Sequence, residues 1–538
     1  MCGWSRSSKI CEDEKGILMK VWGWAAARPL PVNGLCAYSL WTGKRRKYRM
    51  EMGKSREKTA TTGYGNYGGT MKEGQTGKTA VEEIDRNRDV FIGLAKKIWE
   101  NPEVAYQEYQ ASRWTAETLK SFGFDVTLGA YGIPTAVRAS WGSGHPVIGL
   151  LGEYDALAGL SQKAKPEKEP VEGQKYGHAC GHNLLGTGHL AAAVAMKKEM
   201  EEKKLPGTVI FYGCPAEEVG TGKGFMAKNG AFRECDAAMA YHPSWFSYVF
   251  TGGKAGVHSM RAEFFGRSSH SGSSPHNGRS ALLAAEMAKL AASMIHEQLP
   301  PGSSIHGAVA DGGFLPGQIP AYAKINFSIK AQNLEDMELV CGRLEKILKA
   351  TALETETEVK YERRGGCCPL LNNRVLAEVA YEAMEEAPQE PWTEEEIAFA
   401  GRLNETTPLP YQNKLKEAGM TGTDMQLLRG ILPMREFDTN GCTDVGDVSH
   451  IVPAIFFKVC CYAMGTNGHT WQAAACAGSS IGMKGMLFAA KILAIAGLKL
   501  MENPKILEKA KEEFDRETEG QPYVTALPDD FSVENALE

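Results

Sequence analysis

The chain has 538 residues, 43% hydrophobic and 23% charged, with a net charge of −5. A single core stops growing at roughly 250–300 residues, so at least two domains are expected, and the composition excludes wholesale disorder and fibrous repeats. The charge is uneven. Residues 1–80 hold 15 Lys and Arg against 6 Asp and Glu, leaving the body acidic by 14, which argues against nucleic acid as its main partner. The 13 cysteines are odd in number and contain no CxxC pair. That is no disulfide framework, and it suggests a reducing, cytoplasmic setting. No apolar run reaches the roughly 18 residues that span a bilayer. No membrane association is expected.

Residues 1–79 combine Trp4, Trp22, Trp24 and Trp41 with the basic cluster Lys44–Lys47 and a Gly-rich run. They read as a disordered extension, or as sequence upstream of a start at Met50, Met52 or Met71. From Thr79 the apolar positions Val90, Phe91, Leu94, Ala95 and Ile98 take helical spacing up to Asn101-Pro102, and a second helix follows over 111–121. Val147–Leu151 is a continuous apolar run, as a strand buried on both faces requires, and 208–212, 237–241 and 454–459 repeat the pattern. A long helix over 184–204 separates the first two. Strands alternating with helices predict an α/β fold, a mainly parallel sheet with helices on both faces.

Between 253 and 362 the rhythm changes. Val257–Phe265 and Ala321–Lys330 alternate apolar and polar residues, with helices expected over 280–298 and 334–350. This β-α-β-β-α-β order predicts an inserted α+β, ferredoxin-like domain. The α/β domain is therefore expected over 80–252 and 363–515, with a tail over 516–538. Residues 385–435 are polar, Glu-rich and weakly patterned. Met486 to Met501, interrupted by Lys491 and Lys499, predicts a packed amphipathic helix.

The chemistry concentrates after the buried strands, where open α/β sheets form their ligand crevice. Gly152-Glu153-Tyr154-Asp155 follows the first strand, and Gly177-His178-Ala179-Cys180-Gly181-His182 precedes the long helix. Glu217-Glu218, His242-Pro243 and Gly468-His469 follow later strands. Thiolate, imidazole and carboxylate together suit Zn²⁺ or a nearby first-row ion. Cys180 and His182 are two apart, so in an extended segment they project to one side. Glu217 and Glu218 are adjacent and point apart, so one can bind metal while the other serves as general base. Four soft donors and a carboxylate are too many for one tetrahedral site, which suggests two ions sharing a ligand. Asp155 reads as a residue orienting a metal ligand rather than a turn cap. Two other matches fail on context. Gly220-Thr221-Gly222-Lys223-Gly224 lacks the Ser/Thr of a phosphate loop, and the string Gly478-Ser479-Ser480-Ile481-Gly482 lacks the buried strand of a hydrolase elbow.

GEYDALAGL, GHACGHNLLGTG, CPAEEVGTGKGFM and AYHP, in that order, resemble the dinuclear metallopeptidase family of aminoacylases, carboxypeptidase G and plant auxin-conjugate amidohydrolases. GCTDVGDVSHIVP and GHTWQAAACAG look most like its aminobenzoyl-glutamate utilization branch. The resemblance covers about residues 80–515. It implies Cys180, His182, Glu218, His242 and His469 as ligands of two divalent ions (Zn or Mn), with Cys180 bridging. It implies Glu217 as the base for a metal-bound water and Asp155 as the acid behind the metals. SSHSGSSPHNGRSALLA resembles the start of the dimerisation domain. There His270 matches a histidine reaching into the partner's site, and Arg279 lies where substrate-binding groups cluster. Gln318 stands where many relatives have Asn, and Lys330 where an Arg is common, so the contacts to the substrate carboxylate differ. The implied activity is metal-dependent hydrolysis of the amide bond of a small N-acyl amino acid, dipeptide or aminobenzoyl-glutamate-like substrate, by a homodimer or hetero-oligomer. The alternative is a non-catalytic or regulatory subunit of a hetero-oligomeric hydrolase.

Overall fold

The structure, a computed structural model, describes residues 71–436 and 441–536. Most of the expected N-terminal extension lies outside the described residues. Its last residues belong to the fold: the helix Lys78–Arg86 begins within a residue of the start expected at Thr79. Buried Glu199 is the reason. It accepts from the Gly77 N–H (2.7 Å) and the Ala80 N–H (3.0 Å), two donors that a helix start leaves unpaired.

The main sheet has six strands in the order Asp125–Leu128, Val137–Ser143, Gly207–Cys214, Val147–Glu153, Ala237–Ser244, Ala454–Cys460. The last four pair in parallel, while the first two are antiparallel and finish one edge, so the sheet is mixed. Val147–Glu153 is buried along its whole length. Helices 78–86, 88–100, 182–203, 374–386 and 480–502 pack one face. The other face is covered through Met226, Phe232, Val445 and Val448. Burial on both faces explains the unbroken apolar runs.

Ser480–Glu502 differs from the amphipathic helix expected of it, because it is buried nearly all round. It is long and apolar enough to cross a membrane, yet it is the central helix of the core. Its three lysines are neutralised from neighbouring helices, Lys484 by Glu396 (2.7 Å), Lys491 by Asp85 (2.7 Å) and Lys499 by Glu386 (2.8 Å). The weakly patterned 385–435 region forms helices Glu394–Glu405 and Pro408–Glu417. The first opens with a capping box, Thr393 with Glu396. The second places Leu415 in a small cluster with Phe246, Leu428, Leu432 and Met464.

The insertion is a four-stranded antiparallel sheet in the order Ser304–Asp311, Tyr322–Ala331, Gly256–Phe265, Glu358–Cys367. Helices Ala281–Met294 and Leu334–Glu354 complete the β-α-β-β-α-β order. Its own core joins Phe264, Ile325, Ile329, Val340 and Leu344. The last strand runs past residue 362, where the sequence placed the boundary. It ends through Gly365 and Gly366 at φ 113° and 152°. A Cβ on Gly366 would lie 1.9 Å from the Val257 carbonyl oxygen. Gly366→Ala is therefore expected to destabilise the protein by at least about 1 kcal/mol, read as a lower denaturant midpoint. An unchanged midpoint would show that this junction does not constrain the backbone.

Candidate metal centre

The parallel strands deliver their C-terminal ends to one edge of the sheet, and the candidate ligands come from the segments there. Cys180 and His182 flank Gly181, which sits at φ 78°. A Cβ at Gly181 would lie 2.4 Å from the Tyr462 hydroxyl, so the turn requires glycine. This corrects the expectation of an extended segment: His182 is the first residue of the helix His182–Lys203, and a left-handed turn brings the two side chains together. Glu217 and Glu218 occupy a short 3-10 turn entered through Ala216 at φ 61°. Such a backbone costs on the order of 1–3 kcal/mol and persists only where its surroundings over-determine it. Here buried Glu108 does so, accepting from the Ala216 N–H (2.9 Å), the Tyr106 N–H (2.9 Å) and the Thr135 hydroxyl (2.8 Å). His242 lies within its strand rather than beyond it. His469, also left-handed at φ 59°, donates its backbone N–H to the Ala179 carbonyl (2.9 Å), which joins its loop to the Cys180 turn.

These five residues converge. Cys180 Sγ is 3.3 Å from His242 Nε2, and His469 Nε2 is 3.2 Å from Glu218 Oε2. One ligand atom each from Cys180, His182 and His242 lies within 4.8 Å of the others, and the same holds for Cys180, Glu218 and His469. Cys180 belongs to both groups. Two of the imidazoles are oriented from behind. His182 Nδ1 is held by Asp155 Oδ1 (2.8 Å) and His242 Nδ1 by the Pro243 carbonyl (2.7 Å), which turns both Nε2 atoms toward the centre. Asp155 also accepts the Glu218 N–H (2.9 Å), so one carboxylate positions two candidate ligands.

The electrostatics fit a cation. Glu153 Oε2, His182 Nε2 and Glu218 Oε1 are buried with no hydrogen-bond partner among the described residues. Cys180 and Glu218 raise the pKa of His469 to about 10. Burial would lower that of His182, but Cys180 and Asp155 overcome it and hold it well above the usual range. A field that favours positive charge at two imidazoles favours divalent ions among the same donors. His242 goes the other way, held neutral by burial and by Lys458, as a ligand nitrogen must be.

A second layer escaped the sequence. Glu153 reaches the centre, its Oε2 3.4 Å from His182 Nε2, and forms a third donor group with His182 and Glu217. Its other oxygen binds Lys223 Nζ (2.5 Å), which also binds Asp444 Oδ1 (2.6 Å); all three side chains are buried. Burial raises the pKa of Glu153 to about 7 and of Asp444 to about 6 against the pull of the ammonium. Lys223 belongs to the rejected Gly-Thr-Gly-Lys-Gly string, whose lysine therefore serves a carboxylate pair instead of a phosphate.

The two residues expected from the insertion, His270 and Arg279, belong to none of these donor groups. His270 is exposed on a short strand, its Nδ1 accepting the Gly272 and Ser273 N–H groups (3.1 Å each). Arg279 is tied down by Glu356 (2.7 Å) and the carbonyls of His276 and Gly278. Its guanidinium staples the insertion together.

A family model described as a peptidase dimerisation domain matches residues 253–356. One of the subunits of the p-aminobenzoyl-glutamate hydrolase of Escherichia coli (strain K12) is 37% identical over 463 residues, covering 83% of this chain and 96% of that one. The chain belongs to the M20 peptidase family. Human Xaa-Arg dipeptidase is 28% identical over 467 residues, 83% of this chain and 94% of its own. A Bacillus subtilis protein described as a dinuclear metal-binding peptidase of the M20 family shares the fold, with a TM-score of 0.52 at 15% identity, over 78% of this chain and 99% of its own.

Two outcomes follow for this M20 chain. Lys223→Met leaves two buried carboxylates facing each other and should cost about 3–5 kcal/mol in denaturant unfolding; a loss under about 1 kcal/mol would contradict the pairing. Asp155→Asn should weaken zinc or manganese binding about 10–100-fold in metal titrations of the folded protein. Unchanged affinity would remove Asp155 from its supporting role.

Proposed function

We propose that this chain is a metal-dependent amidohydrolase that cleaves the amide of a small N-acyl amino acid, dipeptide or aminobenzoyl-glutamate-like substrate. The observation that carries the reading is the pair of donor groups sharing Cys180, with the Glu217 carboxylate beside them. Cys180, His182 and His242 would hold one divalent ion, and Cys180, Glu218 and His469 the other. Zinc or manganese suits this donor set, and a reducing cytoplasm keeps the thiol available. Bound there, the ions supply a Lewis acid for the scissile carbonyl and lower the pKa of water.

The protein's own groups do the rest. Glu217 Oε2 stands 3.7 Å from His182 Nε2 and is not needed as a ligand in either group that shares Cys180. It takes the proton from the attacking water and passes it to the leaving nitrogen. Asp155 fixes His182 and the Glu218 backbone, so the donors are in place before substrate arrives. With Nδ1 accepting two backbone N–H groups, neutral His270 carries its proton on Nε2. That outward donor suits an oxyanion in the site of a second copy of the chain, which the dimerisation domain would bring near.

A second reading keeps the fold and the metals but makes the chain a regulatory subunit. The Escherichia coli relative is named as a subunit of its hydrolase, which favours hetero-oligomeric assembly. The presence of Glu217 together with every ligand favours a catalytic chain. In turnover assays on acyl-amino acids with bound metal quantified, Glu217→Gln should lower kcat by at least about 10²-fold at unchanged metal content. Wild-type turnover by that variant would remove Glu217 as the base. A metal-loaded wild-type chain that is inert alone, and active only with a second, different chain, would favour the regulatory reading.

A further inference from the structure

Among the described residues, two ammonium groups stand beside the candidate ligands with no carboxylate at ion-pair distance, unlike Lys223 and Lys491. Lys458 lies on the strand Ala454–Cys460, paired in parallel register with His242 on the adjacent strand. Directly paired residues share a sheet face, so Lys458 emerges beside a candidate ligand. Lys254 precedes the first strand of the insertion, at the junction of the two domains. Its Nζ lies 4.5 Å from the Phe456 ring centre, and Lys458 Nζ lies 4.8 Å from the same ring. That ring is in turn 5.9 Å from the His242 ring. One phenyl group thus gathers both ammoniums next to the centre.

Their pairing is unusual for this molecule. Buried Lys223 has Glu153 and Asp444, and buried Lys491 has Asp85. Lys254 is 8% exposed, and the hydrogen bond found for its Nζ among the described residues is a 3.4 Å contact to the Cys442 carbonyl. Lys458 is half-buried and, among the described residues, has no carboxylate within ion-pair distance. An ammonium out of water is unfavourable without an opposite charge, and an aromatic face compensates only in part. Two such cations at a mouth that also favours divalent ions create a strong demand for an anion.

We propose that Lys254 and Lys458 form the subsite for the free carboxylate of the substrate's amino-acid portion, so that the site selects N-acyl amino acids over neutral amides. This inference rests on the hydrolase reading above and adds the residues that give it specificity. The ammoniums share one ring, so a single carboxylate, or the two of an acidic amino acid, reaches both while the amide sits at the ligand cluster. Lysine suits the task because each ammonium donates as a point charge from a flexible stem and needs no fixed approach angle.

The test uses the full, metal-loaded chain with N-benzoyl-L-glutamate and with the same compound carrying carboxamides in place of both carboxylates. Wild type is expected to prefer the acid. Lys458→Met and Lys254→Met should each raise KM for the acid about 10-fold or more with kcat nearly unchanged, and shrink the acid-over-amide preference. Lys458→Arg should keep most of that preference. Because an unpaired charge is removed, the melting temperature of Lys458→Met should hold or rise; a fall with KM unchanged would assign the lysine a structural role and overturn the proposal. Unchanged preference in both Met variants would overturn it too, and if Lys254→Met fails to fold, Lys458→Gln takes its place. Should wild type cleave neither compound, the hydrolase reading is decided separately by the turnover assays above. The subsite is then judged by calorimetry with N-benzoyl-L-glutamate, where weaker binding to Lys458→Met supports it and equal binding overturns it.

Discussion

The ammonium of Lys223, shut away from water between Glu153 and Asp444, is the interaction on which the centre depends. A crowd of carboxylates cannot be buried at the end of a sheet unless something offsets their mutual repulsion. Glu153 comes from the central strand, Lys223 from the segment after the Glu217–Glu218 turn, and Asp444 from the chain that returns after the insertion. One charge cluster therefore closes the α/β domain across the interruption in its sequence. It also leaves one Glu153 oxygen aimed at His182, so structural neutralisation and the ligand cluster share a residue.

Around that anchor the protein stores strain where it needs direction. Ala216 and His469 are both held in left-handed backbone, one by Glu108 and the other by its link to Ala179. Each places the next side chain, or its own, where a relaxed turn would not. Gly181 does the same at no steric cost. Three separate turns thus aim donors into one volume. That volume opens where parallel strands all end, because only a parallel arrangement gathers loops from distant parts of the chain at one edge.

The donors were legible in the sequence because thiols, imidazoles and paired glutamates after buried strands are uncommon and point to one chemistry. The lysines were not. Lys223, Lys254 and Lys458 look like any of the chain's other basic residues, whose usual place is solvent. Glu153 stood inside a recognisable segment and Glu108 between two expected helices, yet nothing in their spacing tells a buried carboxylate from an exposed one. Nor does the sequence show that Arg279, whose type suits a substrate anion, pairs with Glu356, 77 positions away. The 385–435 helices were missed because polar faces outweigh the few apolar residues, such as Leu415, that dock them.

By itself, the sequence determined the alternation of strands and helices, the inserted domain with its half-exposed strands, and the identity of the metal-suited side chains, since each of these is written in local periodicity and residue type. Tertiary structure alone decided which atoms meet: Cys180 standing in two donor groups, Asp155 behind His182, Lys223 between two acids, and two ammoniums on one phenyl ring. Those are distances between residues brought together from separate parts of the chain. Burial and charge compensation are set by packing in three dimensions and leave no periodic trace along the chain.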